Sequence, residues 1–186
     1  MVNIKYTIIM LAVILLPFIG NGAMSDEVGN VKTVGYVDLE RYMGTWYEIA
    51  RIPNWFQRKC TGNVSAKYTL NADGTVEVVN SCLVEKGYTN TARGIAKVED
   101  PETNAKLKVS FFSFLGINLF WGNYWILYLD DDYQNAVIGE PMRKYGWILS
   151  RKKDLSANEL EPIYKTLREN GYDNEEFEPT KQNIRD

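Results

Sequence analysis

The 186-residue chain carries 24 acidic and 21 basic residues, so it lacks the positive excess that nucleic-acid-binding surfaces use. It contains no histidine, the commonest general base of enzymes and the commonest protein ligand of metals. We therefore predict no metal site, no cofactor and no nucleic-acid partner. Aromatic residues make up 13% of the chain, which suits one domain with a large apolar interior or a binding cavity.

The N-terminus has the pattern of a secretory signal peptide. Lys5 precedes an apolar run at 6–19, and small residues follow at 20–23. The run is shorter than the roughly 18 to 20 apolar residues that a membrane span needs. We expect residues 1–22 to be removed; an uncleaved membrane anchor is the alternative.

The first motif of the following region surrounds Trp46. After an expected linker at 23–36, a short helical turn is capped by Asp38 and ended by Gly44, which has no side chain to clash at unusual backbone angles. Trp46 then opens the first predicted strand, 46–51. An indole there needs a buried site and a partner for its N–H. On these residues alone, Trp46 is a core residue and nothing more.

Seven further strands are predicted from alternating apolar and polar residues, or from short apolar runs between turn residues. They span 62–70, 75–84, 91–98, 105–112, 124–129, 136–139 and 146–151. Eight strands at this spacing predict an all-β antiparallel sandwich or barrel. Closure into a barrel would leave no exposed edge and would enclose room for one small ligand.

The apolar period changes after the last strand. Leu160, Ile163, Tyr164 and Leu167 share one face of a helix, which begins at a capping box and stops near Gly171. A single apolar stripe predicts that this helix lies on the outside of the strand assembly. There it could cover the outer face of the sixth strand.

Cys60 and Cys82 are the only cysteines. The hairpin turn at Asp73-Gly74 places them at similar distances along the second and third strands. An even cysteine count in an exported chain predicts one disulfide bond between them. Two free buried thiols are the alternative.

Three separated motifs then coincide in order. They are Gly44-Thr45-Trp46, the turn at 130–136, and Trp147-Ile148-Leu149-Ser150-Arg151 before the helix. This combination resembles the lipocalin family, and more closely its bacterial outer-membrane and animal apolipoprotein D branch. The resemblance covers residues 37–180, which leaves 181–186 as an expected tail.

The resemblance implies an eight-stranded antiparallel up-and-down barrel, with a short N-terminal helical turn and one C-terminal α-helix packed outside. It implies a cavity that binds a fatty acid, a lysophospholipid or a similar lipid for transport, storage or membrane maintenance. It also implies that Trp46 lies at the closed end with Arg151 across its ring. A guanidinium stacks well on an indole, so we expect this pair to form the barrel floor.

Strand alternation predicts which residues line the cavity. The sixth strand cannot be phased by its own pattern, and the resemblance places Tyr124, Ile126 and Tyr128 inward. Small residues at Ala92, Gly94 and Ala96 would leave volume open. A filled core without a cavity is the alternative. The predicted ligand-binding residues are Tyr68, Val78, Asn80, Ala96, Val109, Phe111, Tyr124, Ile126, Trp147 and Leu149.

The connection at 113–123 is unusually apolar and should lie at the mouth, opposite Trp46. The loop after the first strand lies at the same end. The predicted mouth residues are Trp55, Phe56, Phe114, Phe120 and Trp121. Such a rim could fold over the mouth as a lid, dock on a membrane as a peripheral contact, or form a dimer contact. We expect a monomer or a weak dimer.

Two other classes of function stay open. The first is a lipid-modifying enzyme on the same barrel, although the lack of histidine argues against a Ser-His-acid triad. The second is an interaction module that uses the apolar rim. Bacterial members of the branch commonly carry a lipid-modified cysteine after the signal, and none lies here. We therefore expect an exported protein without a lipobox cysteine, periplasmic or secreted, with peripheral outer-membrane contact as a further option.

Overall fold

The computed structural model describes residues 31–182. The predicted signal peptide, 1–22, and most of the predicted linker lie outside the described residues, as do positions 183–186. Eight strands form an antiparallel barrel, which confirms the predicted fold. They are β1 (Gly44–Arg51), β2 (Cys60–Leu70), β3 (Val76–Val84), β4 (Tyr88–Val98), β5 (Lys106–Ser110), β8 (Gly122–Leu129), β9 (Asn135–Gly139) and β10 (Trp147–Ser150).

The barrel closes where its first and last strands pair. β10 runs antiparallel to β1, with Tyr47 opposite Ser150 and Glu48 opposite Leu149. Every other barrel strand pairs with its neighbours in chain order. Because the strands alternate in direction, the turns after β2, β4 and β8 share one end with Trp46. That is the closed end, and the connections after β1, β3, β5 and β9 lie at the open end.

Two helices flank the barrel. The short helix α1 (Leu39–Tyr42) precedes β1, and its cap is Asp38, whose carboxylate accepts a hydrogen bond from the Arg41 N–H. The longer helix α2 (Ala157–Glu169) begins at the predicted capping box of Ser156 and Glu159.

The helix α2 covers the outer wall of the barrel. Its fully buried Ile163 and Leu167 pack in a cluster with Leu127 of β8, Val137 of β9 and Ile148 of β10. This confirms the predicted outside position and the cover over the sixth barrel strand. The sequence pattern is sufficient here because one apolar stripe can face only one surface.

Strand β8 departs from simple alternation. Its register against β9 shifts between Ile126 and Tyr128, so the chain carries a bulge there. Ile126 faces the interior, but Tyr128 packs with the outer cluster beneath α2. The inward prediction for Tyr128 was therefore wrong, because a bulge inserts one residue and reverses the face of those after it.

The apolar connection between β5 and β8, expected as a loop, is a hairpin. Its strands are β6 (Phe112–Phe114) and β7 (Ile117–Leu119), and Leu115 and Gly116 form the tight turn with positive φ angles of 50° and 79°. Positive φ at both central residues is the usual geometry of a two-residue hairpin turn. Leucine rarely adopts that conformation, so the sequence at Leu115 and Gly116 did not predict the turn.

The end of the described chain forms a further strand, β11 (Glu178–Pro179), which pairs with Ala50 and Arg51 of β1. The Gln182 amide donates to the carbonyls of both Glu48 and Val64, at 2.8 Å each. Lys181 and Gln182, which were expected to begin a tail, thus bridge β1 and β2 near the open end.

The predicted disulfide bond is confirmed. Cys60 and Cys82 are joined across β2 and β3, with a Cα–Cα distance of 5.6 Å. The bond lies at the open end, where the register between the two strands shifts at Gly62. It holds the two strands together where their pairing is least regular.

Replacing both cysteines, as Cys60→Ser/Cys82→Ser, should lower the free energy of unfolding. The bond closes a loop with a sequence separation of 22 residues. Loop-closure entropy for that length corresponds to about 3 kcal/mol. Urea denaturation followed by tryptophan fluorescence measures the difference, with reduced wild-type protein as the matched reference. An unchanged midpoint would show that the bond adds nothing to stability.

Candidate ligand-binding cavity

The floor of the barrel is built around Trp46, which is fully buried. Its indole N–H donates to the Tyr42 carbonyl at 2.9 Å. The Arg151 guanidinium carbon lies 3.9 Å from the centroid of the indole ring, on its outer side. This is the arrangement that the resemblance implied, and it closes one end of the interior.

Arg151 also binds the backbone around the floor. Its Nη2 donates to the carbonyls of Arg41, Tyr42 and Met43 at 3.1, 3.1 and 2.7 Å. Its Nη1 donates to the Thr45 carbonyl at 2.8 Å. One side chain therefore links the last strand of the barrel to the end of α1 and the start of β1.

Gly44 is required by this arrangement. Its φ angle is +96°, and a Cβ atom there would lie 3.3 Å from Arg151 Nη1. Residues with a side chain rarely adopt that backbone conformation. Any such residue would therefore be strained and would also crowd the guanidinium.

Above the floor, the barrel encloses a cavity of about 940 Å³ that opens at the other end. Ligand pockets in proteins commonly span roughly 300 to 1,000 Å³, so this volume admits one lipid-sized molecule. The structure places all ten residues predicted for the cavity on its wall. Most of the wall is apolar, and further contributors are Val64, Ala66, Val76, Ala92, Leu107 and Ile138.

One part of the predicted open space is filled. A Cβ atom on Gly94 would lie only 2.7 Å from the Phe111 ring, so that ring occupies the place where a side chain would be. The glycine therefore accommodates Phe111 and does not leave volume for a ligand. Ala92 and Ala96, on the same face of β4, remain on the cavity wall.

Three tyrosines form a chain of hydroxyl groups at the bottom of the cavity. The Tyr124 hydroxyl lies 2.9 Å from those of both Tyr42 and Tyr68. The Tyr42 ring lies 4.9 Å from Trp46, which places the cluster on the floor. Burial raises the pKa of Tyr42 and Tyr124 well above 10, and raises the pKa of Tyr68 to about 12. All three hydroxyls are thus protonated at neutral pH.

A buried carboxylate, Glu48, lies on the cavity wall near the mouth. It accepts hydrogen bonds from Arg51, Gln57 and Thr180 at 2.5, 2.8 and 2.6 Å. Gln57 in turn accepts a hydrogen bond from the Trp147 indole at 2.9 Å. The network joins β1, the following loop, β10 and the C-terminal segment.

A second carboxylate, Glu140, also lines the cavity and is buried. It accepts backbone N–H groups of Met142, Lys144 and Tyr145. It thereby caps the loop between β9 and β10. Among the described wall residues, Glu48 and Glu140 are the only charged side chains, and neither lysine nor arginine is present.

Sequence reasoning missed Tyr42, Glu48, Gln57 and Glu140. Glu48 could have been found, because it shares the face of β1 with Trp46, two residues before it. A carboxylate is ordinarily expected to face solvent, but a matched set of hydrogen-bond donors allows it to be buried. The other three lie outside the regular strands, where alternation gives no direction.

The mouth is lined with aromatic rings. Trp147 and Tyr145 stack with 6.2 Å between centroids, and Phe56 lies 5.6 Å from Tyr145. Phe120 also borders the cavity, 5.6 Å from Phe112.

The outer rim of the open end carries exposed apolar side chains. Ten of the eleven large apolar residues that are exposed within residues 31–182 lie in or beside the open-end connections, and Tyr36 is the exception. Leu115, Phe120 and Trp55 are 85%, 83% and 72% exposed. Phe114 is likewise exposed and does not line the cavity.

Trp121 differs from the other predicted mouth residues. It is half-buried beneath the ammonium group of Lys97, which lies 4.5 Å from its ring centroid. Its indole donates to the Asn118 carbonyl at 3.1 Å. Trp121 therefore anchors the end of the hairpin, and it also borders the cavity.

Comparison with known proteins gives a consistent result. A family model described as a lipocalin-like domain matches residues 37–182. Temperature-induced lipocalin-1 of Arabidopsis thaliana is 42% identical over 159 residues, spanning 84% of this chain and 85% of that protein. Outer membrane lipoprotein Blc of Escherichia coli K12 is 36% identical over 148 residues, spanning 79% and 80%.

A solved structure has the same fold. Insecticyanin from the tobacco hornworm Manduca sexta superimposes with a TM-score of 0.65 at 24% identity, covering 82% of this chain and 84% of that one. At that identity the likeness bears on the fold alone. Within residues 31–182, no helix is long and apolar enough to cross a bilayer.

The floor contacts predict the effect of Arg151→Lys. A lysine keeps the charge but cannot stack on Trp46 while donating to four carbonyls. We expect the free energy of unfolding to fall by about 2 to 3 kcal/mol. Arg93→Lys is the matched control, since the ion pair of Arg93 with Glu77 lies on the exposed surface, and this substitution should change stability by less than about 0.5 kcal/mol. Equal losses in chemical denaturation would argue against the floor contacts.

Proposed function

Because this chain belongs to the lipocalin family, whose members bind small hydrophobic ligands, we propose that its cavity holds one small lipid for transport, storage or membrane maintenance. The observation that carries the proposal is the cavity itself. It is about 940 Å³ in volume, closed at the floor by Trp46 and open at an aromatic mouth. Its mainly apolar wall suits a hydrocarbon chain or a compact ring system.

The residues of the cavity wall favour ligand binding over catalysis. The enzymatic alternative needed a free thiol or another activated nucleophile. Cys60 and Cys82 are bonded to each other, so neither offers a thiol. The disulfide also favours a site of action outside the reducing cytosol. We therefore propose an exported binding protein, which fits the similarity to an outer membrane lipoprotein.

Ligand binding is tested by filling the cavity. Ala96→Trp places an indole on the inner face of β4, and should weaken binding of the neutral fluorescent probe N-phenyl-1-naphthylamine by roughly tenfold or more. Ile95→Trp puts the same side chain on the outer face of the strand and should leave binding unchanged. Circular dichroism checks that both variants fold. Absence of saturable binding to the wild type, or equal affinity in both variants, would overturn the proposal.

We further propose that the open end contacts a membrane surface. The hairpin side chains Phe114, Leu115, Ile117 and Phe120 are exposed, so they do not form a closed lid. Leu115 stands at the tip in a left-handed conformation that glycine or asparagine adopts more easily. Backbone strain of this kind is retained mainly where it serves function, and here it presents an apolar side chain to the outside.

The distribution of charge supports a membrane with anionic lipids. The open-end connections (52–59, 85–87, 111–121 and 140–146) contain five basic and two acidic residues. The closed-end turns and the α1 segment (71–75, 99–105, 130–134, 151–156 and 38–43) contain four basic and ten acidic residues.

Two of the open-end basic residues, Arg143 and Lys144, are less available to a membrane than the others. They line a surface depression together with the acidic Glu175 and Glu176, which offset their charge. Arg58 and Lys59 are exposed and form no ion pair within the described part of the chain. They follow Trp55 and Phe56 in the loop after β1, so basic and apolar groups meet at the rim. An anionic bilayer would complement both.

Vesicle flotation tests this contact. Phe114→Ser/Leu115→Ser/Phe120→Ser should reduce the vesicle-bound fraction by more than about tenfold, because three large apolar side chains no longer leave water. Tyr36→Ser removes an exposed ring away from the open end and should have no effect. Adding phosphatidylglycerol to phosphatidylcholine vesicles should strengthen wild-type binding. Equal, negligible flotation of all three proteins would contradict the proposal.

A further inference from the structure

We propose that the hydroxyl chain of Tyr42, Tyr124 and Tyr68 receives the polar end of an uncharged ligand at the cavity floor. The inference rests on the proposed function and specifies its ligand class. That class is a lipid-like molecule ending in a neutral hydrogen-bond acceptor, such as a ketone, aldehyde, ester or hydroxyl group.

The three tyrosine hydroxyl groups have one more hydrogen-bond donor than they use among themselves. Each protonated phenol has one O–H to donate. The three hydroxyls share two hydrogen bonds, one on each side of Tyr124. Each bond uses one O–H whichever way it points. No other acceptor within residues 31–182 bonds to these oxygens, so one O–H always lacks a protein partner.

The spare donor is buried where only the contents of the cavity can reach it. All three tyrosines line the cavity, and Tyr42 and Tyr68 are buried. The rings rest on one another and on Trp46, with centroids 4.9 to 6.0 Å apart. A buried donor left without an acceptor is costly. An acceptor on the inner end of a ligand removes that cost.

The wall above the cluster decides which way a ligand enters. Towards the mouth from the level of Tyr68 and Tyr124, the wall is mainly apolar, with Val64, Ala66, Val109 and Leu149 beside the polar Asn80. The apolar members of this wall suit the hydrocarbon body of a ligand. A ligand with a hydrocarbon body and a polar end can satisfy both regions if its polar end lies at the floor.

The charged residues around the cavity favour a ligand whose inner end is neutral. No lysine or arginine is present among the described wall residues, and the charged groups there are the carboxylates of Glu48 and Glu140. Arg151 lies on the far side of the Trp46 ring, with its Nη1 and Nη2 directed to backbone carbonyls. A carboxylate at the floor would therefore lose water without gaining a direct cation. The anionic end of a fatty acid belongs at the mouth.

Three ligands with eleven carbons separate these possibilities: undecane, methyl nonyl ketone and undecanoate. Each competes with N-phenyl-1-naphthylamine for the cavity. The test variant is Tyr42→Phe/Tyr68→Phe/Tyr124→Phe, which removes every hydroxyl of the chain and keeps the rings. Its matched control is Tyr47→Phe/Tyr128→Phe/Tyr164→Phe, three tyrosines off the cavity wall whose hydroxyls form no hydrogen bond within the described residues.

Loss of the floor hydroxyls should weaken ketone binding about fivefold, the value of one hydrogen bond between neutral groups. Undecane and undecanoate should keep their affinities, because neither places an acceptor at the floor. The control variant should match the wild type for all three ligands. Unchanged ketone affinity in the test variant would overturn the inference. An equal loss of affinity for undecanoate would show that the floor accepts a carboxylate. It would overturn the inference that the ligand is uncharged.

Infrared spectroscopy gives a second readout. The carbonyl stretch of carbon-13-labelled methyl nonyl ketone should lie at lower frequency in wild-type protein than in the triple phenylalanine test variant, because a floor hydroxyl donates to it. Equal frequencies in the two proteins would contradict the inference. If the probe fails to bind wild-type protein, the proposed function fails and the inference with it. If the probe binds and Ala96→Trp excludes it, a missing ketone effect defeats the inference alone.

Discussion

The contact between Arg151 and Trp46 is the constraint on which the rest of the barrel depends. A closed sheet still has two open ends, and an apolar interior that is open at both ends would fill with water. The guanidinium covers the outer face of the indole 3.9 Å from its centroid, and its N–H groups hold the carbonyls of α1 and β1. Gly44 makes the close approach feasible. With one end sealed, a ligand can enter the cavity only from the other end.

Polarity changes in a defined order from floor to rim. At the floor, the hydroxyls of three tyrosines share two hydrogen bonds, and the Tyr42 ring packs on Trp46. Above them lies a mainly apolar wall, and near the mouth Glu48 and Glu140 have their oxygens engaged by protein donors. Exposed apolar side chains then surround the opening. Such an order suits an amphiphile that enters the cavity from a bilayer through the open end.

The regular parts of the molecule were predictable because their periodicity is a local property. Alternation placed Val78, Ala96 and Leu149 on the cavity wall, and the helical stripe of α2 marked its packing face. Features that depend on tertiary contacts were not predictable. The bulge that turns Tyr128 outward, the hairpin tip at Leu115 and the pairing of β11 with β1 leave no periodic signal. Burial of Glu48 required Arg51, Gln57 and Thr180 to converge from three segments.

We propose that the barrel, closed at its floor, holds one small lipid of neutral character. Native mass spectrometry of the protein purified from its own host tests it most directly, with extraction and identification of any bound molecule. We predict one ligand per chain, an uncharged amphiphile, that is absent from Ala96→Trp and present in Ile95→Trp. A wild-type protein that is always empty, or a lipid retained equally by both variants, would contradict the claim.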